Sequence, residues 1–177
     1  MGYWNTRGLR GSAFEEMINT TNEMYLKHNL GIIQKISTPI TVTKIDNTKR
    51  LITEAYFSGE STVDYIGMVQ GVGVCFDAKE TANKSLPLQN VHSHQIDFMS
   101  NFMKQKGVAF LLVHFSVYKE IYFLPFEVLL KHHEEMKNGG RKSIPYNAFE
   151  KQYLVKNTKG FMVHYLEGLS QYLNNQI

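Results

Sequence analysis

The 177 residues carry 19 Lys and Arg against 16 Asp and Glu, a net charge of +3, with 43% hydrophobic and 12% aromatic side chains. This composition can fill one compact core and excludes a disordered polymer, while the mild positive charge permits nucleic acid without requiring it. The single Cys75 excludes an intramolecular disulfide and no apolar run nears the roughly 18–20 residues that span a bilayer, so a soluble, cytoplasmic protein is expected.

In chain order, residues 1–11 hold Arg7 and Arg10 with no acid and read as a flexible basic arm. Residues 12–28 predict a helix, because Phe14, Met17, Ile18, Thr21 and Tyr25 repeat at helical spacing and Ser12 with Glu15 has the spacing of a capping box. Residues 31–36 predict a short strand. Residues 41–45 and 51–57 predict strands joined by the polar turn 46–50. Their alternation offers too little apolar surface to cover both faces of a sheet, so about 36–53 is expected to project as a β stalk.

Residues 62–68 and 72–79 predict a second hairpin around Gln70-Gly71, and 92–106 a helix with Ile96, Met99 and Met103 on one stripe. The apolar run 108–115 suits a central strand and 119–124 its neighbour. Pro125 opens a helix that stops before Gly139-Gly140, on which His132-His133-Glu134-Glu135 reads as a solvated face. Beyond Phe149 only fragments of helix or strand are legible. Residues 12–177 are thus expected to form one α/β domain with a mixed central sheet flanked by helices.

The chemistry concentrates in Ser61-Thr62-Val63-Asp64-Tyr65 and Val74-Cys75-Phe76-Asp77-Ala78-Lys79. Residues two apart on a strand share a face, so Asp77 and Lys79 point the same way. A two-residue turn at Gln70-Gly71 pairs residues whose numbers sum to 141, which places Asp64 opposite Asp77. Two facing carboxylates repel unless a cation neutralises them, and two carboxylates with waters are a usual way to hold Mg²⁺. Solvated strand acids with a surface lysine fit the same spacing. His92 and His94 lack a third ligand at zinc spacing.

The quoted segments, with Glu54-Ala55-Tyr56-Phe57, Gly67, Glu80-Thr81, Pro87-Leu88, His92-x-His94-Gln95-Ile96 and Gly139-Gly140-Arg141-Lys142-Ser143-Ile144, resemble the RecU family of Holliday junction resolvases. The resemblance covers most of the chain in order and is weakest beyond about Phe149. It implies a restriction-endonuclease-like fold and a Mg²⁺-dependent endonuclease, with Mn²⁺ a substitute, that makes paired symmetric nicks in four-way DNA junctions during recombination and repair. It implies a homodimer, with a RecA-type recombinase and a branch-migration helicase as further partners.

Carried over by residue, Thr62, Asp64 and Asp77 match metal-binding positions, Lys79 the catalytic lysine, and Glu15 the acid on the first helix. From their own charge and place, the stalk residues Lys44, Lys49 and Arg50 are expected to contact phosphates, Arg141 and Lys142 lie on a turn that suits a phosphate, and Gln95 on the helix is expected to contact DNA phosphate or the site. The chain departs from the pattern with Asp77 where relatives usually carry Glu, and with Cys75 where an acid is expected nearby. Two other functions fit the same residues: a non-catalytic junction-binding modulator of a RecA-type recombinase, and a same-fold nuclease acting on other DNA.

Overall fold

The computed structural model describes residues 8–59 and 62–176, with side chains from residue 13 onward. The first helix, α1 (Gly8–Lys27), begins four residues before the expected start, so Ser12 lies inside it rather than at its N-cap position. Burial of Phe14, Ile18, Thr21 and Tyr25 drives this helix, and adding turns to a packed helix costs little even through Gly8 and Gly11. The part of the basic-arm reading that falls on residues 1–7 lies outside the described residues.

A six-stranded mixed sheet forms the centre, in the order β1 (Ile32–Lys35), β4 (Tyr65–Val69), β5 (Val72–Thr81), β7 (Val108–Phe115), β8 (Glu120–Pro125) and β10 (Leu154–Val155). Only β5 and β7 run parallel, and α2 (Ser93–Lys104) supplies the crossover between them. The sheet separates two cores. On one face Phe76, Phe110 and Phe123 meet Phe14, Ile18 and Tyr25 of α1 and Leu169 of α4 (Leu166–Asn174). On the other, Cys75, Leu111 and Val113 meet Ile96 and Met99 of α2 and Leu129 of α3 (Phe126–Lys137). This is the mixed sheet flanked by helices that the sequence predicts.

The turn at Gln70-Gly71 has φ of 47° and 86° at its two residues, the left-handed pair that suits a two-residue hairpin. Helix α3 ends in a Schellman motif: Gly139, at φ 85°, donates its N–H to Met136 O at 3.1 Å, and Gly140 donates to Glu135 O at 2.8 Å. Strand β2 (Ile40–Asp46) pairs only with β3 (Leu51–Phe57), and every residue of the two is exposed except the half-buried Asp46. The hairpin's base is closed by Ser58 N–H donating to Pro39 O at 3.1 Å.

Two expectations change. His133 is not on a solvated face: it is 6% exposed and turned inward, and burial lowers its basicity. The fragments beyond Phe149 resolve into β10 and α4, while β6 (Ser85–Pro87) and β9 (Ser143–Pro145) form a separate two-stranded patch. Strands of two or three residues are too short to carry an alternation. No helix among the described residues is long and apolar enough to cross a membrane.

Strand β1 can lie against β4 because Gly67 has no side chain: a Cβ there would fall 2.2 Å from Ile32 O and 2.7 Å from Ile33 Cα. Gly67→Ala is therefore expected to lower the unfolding free energy by more than about 2 kcal/mol, read from urea denaturation, because the close contact is with backbone.

Candidate active site

The β4–β5 register pairs Tyr65 with Phe76 and Gly67 with Val74, so Asp64, one residue before β4, stands across from Asp77 as expected. Each carboxylate braces the other strand. Asp64 N–H donates to Asp77 Oδ1 at 2.9 Å, and Ala78 N–H donates to Asp64 Oδ2 at 3.0 Å. Asp77 is fully buried, and its Oδ2 has no hydrogen bond although the Lys79 ammonium pairs with it.

Gln95, on the first turn of α2, completes the group. Its Nε2 donates to Asp77 Oδ1 at 3.0 Å, while its Oε1 accepts from Lys79 Nζ at 3.3 Å and from His92 N–H at 3.1 Å. The side chain expected on DNA is thus 7% exposed and spent on the carboxylate and the lysine. A sequence signal for this existed, since His92-x-x-Gln95 has the spacing of a capping box ahead of an apolar stripe. The bond from His92 N–H holds the amide where it can reach across to β5.

Burial, and then the charge of Asp77, push the Asp64 carboxyl up to about 7. Two carboxylates against one ammonium leave an excess negative charge in a buried place. A buried carboxylate oxygen whose contact among the described residues is the Lys79 ammonium, beside a second carboxylate, fits a hard divalent cation completed by water. The described residues hold no group of three or more His, Cys, Asp or Glu able to bind a metal, so Asp64 and Asp77 form the carboxylate set by themselves. Cys75 shares their face, but burial raises its thiol to about 12, which makes it inert packing.

The remaining candidates lie apart. Glu15 belongs to α1, on the opposite face of the sheet, where its carboxylate pairs with Lys35 and its backbone oxygen accepts from Tyr65 Oη at 3.3 Å. Thr62 is half-buried two residues before Asp64, and among the described residues no hydrogen bond ties it to a carboxylate. On the stalk, Lys44 pairs with Glu54 at 2.6 Å, and Lys49 and Arg50 are exposed at its tip. Arg141 Nε donates to Ser143 Oγ at 3.3 Å, and Lys142 O accepts from Leu88 N–H at 3.0 Å, which places both cations beside the loop that leads into α2.

The sequence pattern of RecU, described as Recombination protein U, matches residues 9–171. The chain belongs to the RecU family. It is 42% identical over 169 residues to the Holliday junction resolvase RecU of Streptococcus agalactiae serotype Ia, covering 93% of this chain and 84% of the relative. It is also 42% identical over 172 residues to that of Oenococcus oeni, covering 94% and 87%. Among solved structures, the Holliday junction resolvase Hjc of Archaeoglobus fulgidus is similar over 67% of this chain and 75% of its own, at 10% identity and a TM-score of 0.40.

In this RecU chain the raised Asp64 carboxyl has a thermodynamic sign. The folded protein holds a proton that the unfolded chain releases near 3.8, so this stabilisation is complete below that pH and is lost as pH rises through about 7. The unfolding free energy of metal-free wild type, less that of Asp64→Asn, is expected to fall steadily between those values in urea titrations. A flat difference would contradict the buried, charge-burdened geometry.

Proposed function

We propose that this chain is a Holliday junction resolvase, a Mg²⁺-dependent endonuclease that acts as a homodimer and nicks paired strands of four-way DNA junctions. The observation that carries the reading is the buried Asp64–Asp77 pair with Lys79 and Gln95 on one face of the β4–β5 hairpin. Family membership and the names borne by its relatives support it.

Asp64 and Asp77 would hold Mg²⁺, which when bound polarises the scissile phosphate and lowers the pKa of water. The chain's own groups do the positioning. The cross-strand hydrogen bonds fix both carboxylates relative to the sheet, so neither must reorganise when DNA arrives. Lys79, 14% exposed at its side chain, is the one ammonium at the pair among the described residues. It stabilises negative charge that builds on the phosphate and orients the attacking water. Gln95 holds Asp77 and Lys79 in one arrangement by donating to the first and accepting from the second.

Thr62 joins the metal-binding set from the segment ahead of β4. Glu15, paired with Lys35 on the opposite face of the sheet, has no part in this arrangement. Asp77, where relatives usually carry Glu, reaches one methylene less far and would hold the metal closer to the strand. The exposed stalk enters the open centre of the junction, with Lys44, Lys49 and Arg50 toward phosphates, while Arg141 and Lys142 contact an arm. A two-fold homodimer matches the symmetry of a four-way junction and presents two sites to strands of like polarity.

The test is cleavage of a labelled four-way junction and of linear duplex with matching sequence. Wild type is expected to make paired symmetric cuts in the junction with Mg²⁺ and none with EDTA. Asp77→Asn and Lys79→Ala should lose at least about 100-fold in rate while keeping junction affinity. Binding without cutting by wild type would point instead to a recombinase modulator. Because the stalk's ends meet at the Ser58–Pro39 hydrogen bond, residues 40–57 can be replaced by Gly-Gly. That variant is expected to fold and to lose its preference for junction over duplex, as read from the ratio of the two Kd values.

A further inference from the structure

The carboxyl end of the parallel β5–β7 pair carries two loops that the carboxylate site does not use. Thr81, the last residue of β5 and 6% exposed, organises both. Its hydroxyl donates to Ser85 O at 3.2 Å and accepts from Asn83 N–H at 3.1 Å, which folds residues 82–84 into a tight loop. Its carbonyl accepts from Ser116 N–H at 3.0 Å and from Ser116 Oγ at 3.2 Å, which pins the turn 116–119 alongside. Tyr146 N–H closes the first loop from above by donating to Lys84 O at 3.2 Å. Each loop exposes one lysine, Lys84 on the first and Lys119 on the second.

The neighbouring acids are already engaged. Glu80 pairs with His114 at 3.5 Å across the other face, and Glu120 accepts from Tyr122 Oη at 2.8 Å and from Tyr146 Oη, with Lys151 at 3.6 Å. Among the described residues, neither Lys84 nor Lys119 has an ion-pair partner. Two uncompensated ammonium groups therefore sit on loops pinned by a buried residue. The pin itself is close to the chemistry. Thr81 is two residues beyond Lys79 on the same face of β5, about 7 Å along the strand. Open α/β sheets bind ligands outside the carboxyl ends of their strands.

The geometry points to a phosphate clamp in which Lys84 and Lys119 hold the backbone of the strand being cut, about two to three nucleotides from the scissile phosphate at about 3.4 Å rise each. This inference rests on the junction-nuclease reading and adds to it a second phosphate contact on the strand being cut, apart from the carboxylate site. Thr81 is a positioning residue: it touches no DNA and fixes the loops that do.

The test is junction binding in EDTA over a series of salt concentrations, with single-turnover cleavage in Mg²⁺ at saturating protein, for wild type, Lys84→Gln, Lys119→Gly and the double variant. Lys119 has φ 54°, in the left-handed region, so glycine relieves strain there and preserves the turn while removing the charge. The double variant is expected to lower the slope of log affinity against log salt by about 1.8, at about 0.9 per lost phosphate contact. Its Kd should rise several-fold, while its saturating cleavage rate stays within about two-fold of wild type. Thr81→Val should weaken binding less than the double variant, with the slope between the two. An unchanged slope in the double variant overturns the clamp, as does a lost saturating rate with the slope intact. Wild type that binds no junction overturns the functional reading itself, which is a different result from any of these.

Discussion

The molecule is organised around a carboxylate that would be costly to bury by itself. Asp77 sits in the middle of the central sheet with no exposure, and three contacts keep it tolerable: the Asp64 N–H, the Gln95 amide and the Lys79 ammonium. Removing a charged group from water costs several kcal/mol unless opposite charge and hydrogen bonds replace the lost solvent. Each of the three partners comes from a different local structure, namely the start of β4, the first turn of α2 and β5 itself. The β4–β5 hairpin and the β5–α2–β7 crossover must therefore both form before the site exists. The compensation is incomplete, since Asp64 adds a second carboxylate and Lys79 supplies a single ammonium for the two. The fold holds a deficit of positive charge where a divalent cation would restore balance.

The two faces of the sheet divide the labour. The α1 and α4 face is a stack of aromatic rings, with Tyr65, Phe76, Phe110 and Phe123 following one another at centroid distances of 4.7, 4.7 and 4.2 Å. This slab carries no part of the carboxylate group and supplies rigidity. The α2 and α3 face packs Ala109, Leu111 and Val113 of β7 beside an aromatic group of Phe115, Tyr122 and Phe149, and gives way to polar groups at Asp77 and Lys79. Strand alternation alone produces this segregation, because Phe76 and Asp77 are neighbours in sequence that point to opposite sides.

Much of this was legible from residues. The hairpin register followed from a two-residue turn and held, and β7 falls on the apolar run 108–115. The stalk was readable because its alternation lacks the apolar weight to be covered twice, and its strands are indeed exposed. What escaped was set by tertiary contact. His133 looks solvated among three polar neighbours, yet helical phase turns it inward between α3 and α2. Strands β6 and β9 pair only with each other, across a separation of more than fifty residues that no local window spans, and bury Leu86 and Ile144 in the core beneath them. Glu15 has the spacing of a cap, but its partner is Lys35, a strand residue brought near by the sheet edge. Gln95 could be placed on a helix from sequence, whereas its aim at Asp77 depended on the crossover.

The two-residue turn at Gln70-Gly71 ends six residues from Asp77, a distance of about 20 Å along β5. Its length nonetheless decides which side of β4 Asp64 occupies. One residue gained or lost there would move Asp64 through the plane of the sheet and carry Tyr65 out of the aromatic slab with it. Insertions and deletions at this remote surface loop, normally the most forgiving kind of change, would act here as active-site lesions. Among lineages that keep the activity, the loop's length should vary less than its composition.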